Sequence, residues 1–231
     1  MRLGLSACAV ALLAVGSPAS SGLSEGVLAS DRIAPAATEA PAGSYTLDRS
    51  HASLIFRVDH LGFSRYTARF TRFDAELHFD PANPAPSSVT ATIDPRSIET
   101  DHPDPTYDFD AQLRTEPWLN TARFPLMTFR SIRLELTGPN TARMTGELGL
   151  HGVTRPVTLD VTFNGGYAGH PLDPFGARIG FSAQGSLRRS EFGIAEGIPP
   201  PGFRIGVGDE VEILIEAEFT RPAPAAVPLV R

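Results

Sequence analysis

The sequence predicts an all-β fold, an antiparallel β-barrel of about eight strands with a short helix capping one end. Apolar residues recur at every second position in one segment after another, the period of a half-buried strand and not of a helix. Clusters of Pro, Gly and Asn separate these segments, as antiparallel connections require. One stretch alone carries helix formers without the alternation.

In chain order, Leu54, Phe56 and Val58 alternate with Ser53, Arg57 and Asp59, and only Ile55 breaks the pattern. Phe73, Ala75, Leu77 and Phe79 then oppose Asp74, Glu76 and His78. The rhythm returns at Val89, Ala91 and Ile93, at Ile132, Leu134 and Leu136, and at Met144, Gly146, Leu148 and Leu150. Val157, Leu159, Val161 and Phe163 follow, then Ile179, Phe181, Ala183, Gly185 and Leu187. In the last run Val211, Ile213, Ile215, Ala217 and Phe219 oppose Glu210, Glu212, Glu216 and Glu218, so one face is apolar and the other charged. Turns are expected at Asp80 to Pro84, Gly138 to Asn140, His151-Gly152 and Asn164-Gly165-Gly166. His151-Gly152 reads as a hairpin turn, because His tolerates positive φ and Gly adopts it freely. Asp110 to Glu116 supports a helix of about two turns, stopped by Pro117.

The ends divide the chain of 231 residues. Met1-Arg2, the apolar run Leu3 to Val15 and Ser17-Pro18-Ala19 read as an export leader over 1–19. Residues 20–43 are rich in Ala, Ser, Pro and Gly without periodicity and are expected to be a flexible linker. The domain is placed at 44–221, and 222–231, opening on Pro222-Ala223-Pro224, is expected to be a disordered tail. Removal of the leader takes the single Cys8 with it, so the mature chain relies on packing and not on disulfides. A formal net charge of -6 argues against a nucleic-acid partner.

Catalytic and metal chemistry find little support. His51, His60, His78, His102, His151 and His170 show no HxH or HExxH spacing. A Gly-x-Ser-x-Gly elbow is absent, and Glu216 and Glu218 share a solvent face, where solvation explains them. The glycine clusters lack the strand-to-helix setting of a phosphate cradle. No catalytic residue, metal site or resident cofactor is expected.

Four blocks carry a resemblance. They are Tyr45-Thr46-Leu47-Asp48 with His51-Ala52, Phe56-Arg57-Val58, His60 to Phe63, Phe70 and Phe73-Asp74; Ile93 to Thr100 with Leu113-Arg114-Thr115, Trp118-Leu119-Asn120 and Phe124-Pro125; Leu150 to Leu159; and Gly180-Phe181 through Arg189-Ser190-Glu191-Phe192-Gly193. In order and spacing they resemble the YceI-like family, periplasmic polyisoprenoid-binding proteins with an extended lipocalin-like barrel. Pro103 to Gln112 departs from the family pattern by its length, which puts the rim of the pocket in question.

The aromatic inventory by itself fits an ordinary close-packed core. The resemblance implies instead a lumen that holds a long isoprenoid or similar lipid. It assigns Leu54, Phe56, Val58, Phe70, Phe73, Leu113, Trp118, Phe129 and Phe181 to the wall. Arg114, beside Trp118, is the first candidate for a polar head group, by forking onto a phosphate or hydrogen-bonding a quinone oxygen. His51 and His60, at the ends of the first strand run, are the next. Three readings follow: a periplasmic lipid carrier or store, a binder of an isoprenoid quinone serving a membrane cytochrome, and an enzyme acting on a lipid in the same cavity. The first is preferred, with transient membrane contact and a monomer or homodimer both compatible with the acidic outer face.

Overall fold

The computed structural model describes residues 33–222. The expected leader, the first part of the expected linker and the expected tail beyond Pro222 lie outside the described residues. Ten strands form: β1 (Gly43–His60), β2 (Ser64–Phe70), β3 (Phe73–Phe79), β4 (Ser88–Ile93), β5 (Ile98–Glu99), β6 (Met127–Leu136), β7 (Thr141–Leu150), β8 (Val153–Tyr167), β9 (Ala177–Arg188) and β10 (Val207–Arg221). The helix α1 spans Phe109–Arg114. Eight strands run β1-β3-β4-β6-β7-β8-β9-β10 around an antiparallel barrel, which β10 closes by pairing with β1. These eight are the strands that the alternation predicts. Closure leaves no free edge along most of the wall, which protects a sheet against edge-to-edge association.

β1 shapes the barrel. Along one edge it pairs with β10, while on the other its first residues pair with β3 and its last with β2. The change of partner coincides with a bulge between Leu47 and Ala52, where Leu47 faces Phe219 and Ala52 faces Ala217. Such an insertion bends a strand and sharpens its twist. Beyond the bulge, β2 and β5 extend the wall, and α1 packs beside β5, where the Thr100 N–H and hydroxyl donate to the Asp110 carboxylate at 3.0 and 2.6 Å. This is the helix end of the barrel. At the opposite end the chain turns between β3 and β4, β6 and β7, and β8 and β9.

Period-2 reasoning fails where the backbone breaks its own period. Ile132, expected inside, is 53% exposed, because a bulge between Ser131 and Arg133 restarts the alternation so that Leu134 and Leu136 return to the lumen. The Ser131 hydroxyl at the bulge accepts the Val89 N–H of the neighbouring strand at 2.9 Å. Asn164-Gly165-Gly166, expected as a turn, lies inside β8 at a second bulge. There Gly165 has φ of 124°, and a Cβ on Gly166 would lie 2.7 Å from the Arg178 carbonyl oxygen and 3.1 Å from Ala40. That close approach explains another difference. The linker expected over 20–43 is packed in its described part: Ala40 is 2% exposed, the Ala36 N–H donates to Pro139 at 2.6 Å, and the Thr38 hydroxyl donates to Gly166 at 3.2 Å. The hairpin at His151-Gly152 forms as expected, with φ of 52° and 76°.

Candidate functional site

The barrel interior holds a cavity of about 680 Å³. Two arrangements keep it from filling. Phe79, Phe163, Phe181 and Phe219 gather into one cluster, with ring centroids 5.4–6.2 Å apart, at the ends of β3, β8, β9 and β10. Elsewhere small inward residues, Ala75, Ala91, Ala142 and Ala183, leave space along the axis. A close-packed core would interdigitate large against small and leave no such volume. The wall includes exposed residues at both ends, Ser88 and Asn140 at one and His60 and His102 at the other.

Most expected residues stand in this wall: Leu54, Phe56, Val58 and His60 on β1, Phe70 on β2, Phe73 on β3, Leu113 on α1, Trp118 after it, Phe129 on β6 and Phe181 on β9. His51 does not. β1 begins at Gly43, so His51 stands in mid-strand at the bulge, exposed on the outer face, with its Nδ1 2.8 Å from the Asp48 carboxylate. Arg114 is also outside the wall. The helix is capped by Asp108, whose carboxylate accepts the Ala111 N–H at 2.8 Å, and therefore starts at Phe109 instead of Asp110. Phe109 and Leu113, four residues apart, then share the face toward the lumen. Arg114 turns toward β5, donating from Nη2 to the Ile98 carbonyl at 3.5 Å.

Several wall residues escaped the sequence reasoning. Within the Pro103 to Gln112 stretch, Tyr107 and Phe109, with His102 just before it, line the cavity. Tyr66 of β2 meets Phe109 edge-on at 5.9 Å, and Phe109 lies 5.6 Å from the His102 ring and 6.0 Å from Tyr107. Three aromatic rings in an acidic run were the available signal. The residue facing Trp118 is Arg189, whose guanidinium carbon lies 5.6 Å from the indole centroid. Arg189 is 5% exposed and lines the cavity at the helix end. Its Nε donates to Gly208 at 2.8 Å, Nη1 to Ile194 at 3.2 Å and Nη2 to Val207 at 2.8 Å, all backbone carbonyls. Burial pulls this guanidinium below its ordinary value, against the fields of Asp209 and Glu196.

Outside the barrel, Asp48, His51 and Glu218 come close enough to suggest metal ligands. The Arg178 guanidinium already serves two of them, with Nη1 2.8 Å from Asp48 and 2.5 Å from Glu218. Its Nε lies 2.6 Å from Asp173, so one cation organises three carboxylates. This is an electrostatic clasp on the outer wall.

A closed antiparallel barrel around an apolar cavity defines a lipocalin-like class. Residues 45–219 match the YceI-like domain. The protein YceI of Escherichia coli is 36% identical over 185 residues, covering 79% of this chain and 89% of the relative. The chain belongs to the YceI-like family. Among solved structures, Burkholderia cenocepacia BcnA superposes with a TM-score of 0.63 at 24% identity, covering 74% of this chain and 98% of the other. A polyisoprenoid binding domain from Saccharophagus degradans, implicated in plant cell wall breakdown, gives a TM-score of 0.53 at 16% identity, covering 77% of this chain and 98% of the other.

Proposed function

We propose that the protein binds one long apolar lipid of isoprenoid type in the barrel lumen, and stores it or carries it through the periplasm, without covalent chemistry. The observation that carries this reading is the cavity of about 680 Å³ inside a closed barrel, walled mostly by Leu, Ile, Val, Ala and Phe. Each methylene moved from water into such a wall contributes about 0.8 kcal/mol before the entropic cost of ordering the chain. The name of the Saccharophagus neighbour supports an isoprenoid guest, and the leader-like residues 1–19 support export. The test is a series of prenols of increasing length. Affinity should rise with each isoprene unit until the lumen is full, then level off. Affinity that ignores chain length, or no binding at all, contradicts the proposal.

Carriage requires a way in from a membrane, and the helix end offers an apolar rim. Phe63 is 81% exposed and Phe203 69% exposed, with Ile205 exposed beside them. Their two loops are joined, since the Leu61 N–H donates to Gly206 at 2.8 Å and Arg204 to Gly62 at 3.4 Å. The wall residues His60 and Val207 continue directly from these loops into the cavity. In this reading the two rings enter the lipid interface while the lumen loads. Phe63→Asp combined with Phe203→Asp is expected to slow prenol uptake from vesicles by about tenfold while leaving affinity for detergent-dispersed prenol unchanged. Uptake at the original rate assigns loading to another surface.

A further inference from the structure

The chain ahead of β1 has no strand periodicity, yet residues 33–42 are held along the barrel end opposite the helix. The Tyr45 hydroxyl donates to the Pro41 carbonyl at 2.7 Å, and Ala40 is buried in one cluster with Tyr45, Ile179 and Phe219. Further out, the Thr38 hydroxyl donates to Gly166 on β8 and the Ala36 N–H to Pro139 in the turn between β6 and β7. In the ring β1-β3-β4-β6-β7-β8-β9-β10 that turn stands across from β1. A segment fixed at the start of β1 and at that turn therefore straps the mouth. Pro35 and Pro41 limit the freedom that the strap loses by lying there. On the side of β1, β9 and β10 the space beneath it is filled by the Ala40 cluster. On the other side the cavity continues to the rim, where Pro35 and Ala36 of the strap line it together with Pro81, Pro84, Pro139 and Asn140. Among the described residues no charged side chain lines this end, whereas His60, His102 and Arg189 stand at the helix end. A charge brought beneath the strap would lose its water without gaining a partner.

We propose that the strap is a stop for the guest: Pro35 and Ala36 close the far mouth, so the lumen accepts a chain whose inner terminus is hydrocarbon and refuses one that ends in a charged group. The assignment rests on the lipid-binding reading above and deepens it, by making the lumen a blind pocket and not a tunnel. The length at which affinity levels off is then the reach from the helix-end rim to the strap. Specificity for the inner terminus thus comes from a segment outside the barrel strands.

The test titrates the delipidated protein with three guests of the length at which affinity levels off: the prenol, an isoprenoid acid with one terminal carboxylate, and the diacid with a carboxylate at each end. Whichever end enters first, the diacid must put a charge beneath the strap. The wild-type protein should bind the diacid at least about 100-fold more weakly than the monoacid. Ala36→Pro combined with Thr38→Val removes both donors that hold the outer strap, so the inner terminus reaches water and the ratio should fall below about tenfold. Monoacid affinity within about twofold of wild type shows that the variant barrel is intact. A prenol of the same length with a diazirine at its tail terminus should label residues 33–42 of the wild-type protein on irradiation, which needs no variant. Equal wild-type affinity for monoacid and diacid overturns the proposal, as does an unchanged ratio in the folded variant or labelling confined to the helix end. Binding of neither the prenol nor the monoacid contradicts the lipid-binding reading itself, and with it this assignment.

Discussion

Replacement of Ala183 by tryptophan is expected to lower affinity for a long prenol by about 100-fold without unfolding the barrel. Ala183 lies between Val161 of β8 and Ile215 of β10, and all three face the cavity. An indole at that position enters open lumen and excludes roughly four methylenes of a guest, a loss of about 3 kcal/mol. The adjacent Gln184 points outward, opposite Asp160 and Leu214. Gln184→Trp therefore places the same ring one residue away on the solvent face and should leave affinity as it was. Titration of both variants, with circular dichroism as the folding check, separates blockage from damage. Undiminished binding by the folded Ala183→Trp protein would mean that the guest does not occupy the lumen.

The second large effect concerns stability. Arg178 joins the β1 bulge through Asp48, the β8–β9 connection through Asp173 and strand β10 through Glu218. The Arg178 guanidinium, the Tyr167 hydroxyl and the Phe175 N–H hold the Asp173 carboxyl well below the usual carboxylate range. At Asp48 burial acts in the opposite direction, but hydrogen bonds from His51, Arg178 and the Ser50 N–H outweigh it and keep the carboxyl low. A carboxylate whose folded pKa is depressed adds stability above its unfolded value of about 3.9 and loses it as pH falls through the folded pKa. Arg178→Met leaves these carboxylates facing one another without a cation. The variant should melt several degrees lower at pH 7, and its melting temperature should fall less steeply below about pH 4 than that of the wild type. A wild-type melting temperature at neutral pH, or an unchanged acid slope, would show that the clasp is incidental.

The barrel was legible because inward residues are close to uniform in chemistry: Leu54, Phe56 and Val58, or Val211, Ile213 and Ile215, announce a buried face without further information. β2 was missed although Tyr66, Ala68 and Phe70 alternate, because Arg65, Thr67 and Arg69 surround them and the segment is short. Ile132 was misplaced because a bulge changes register without any residue type that betrays it. The site divides in the same way. Its apolar wall follows from strand parity, whereas Arg189 depends on carbonyls of Val207 and Gly208, 18 and 19 residues downstream. Which arginine the fold removes from water is a tertiary fact. Between Arg114 and Arg189, each close to Trp118 in sequence or in space, only the backbone decides.

The central claim, that the lumen accommodates a hydrocarbon chain, is tested most directly by native mass spectrometry of the purified protein before and after organic extraction. The account predicts a mass above that of the polypeptide by one lipid, its loss on extraction, and its replacement by a single added prenol. A bare polypeptide mass before and after extraction, together with no uptake of any prenol, would contradict it.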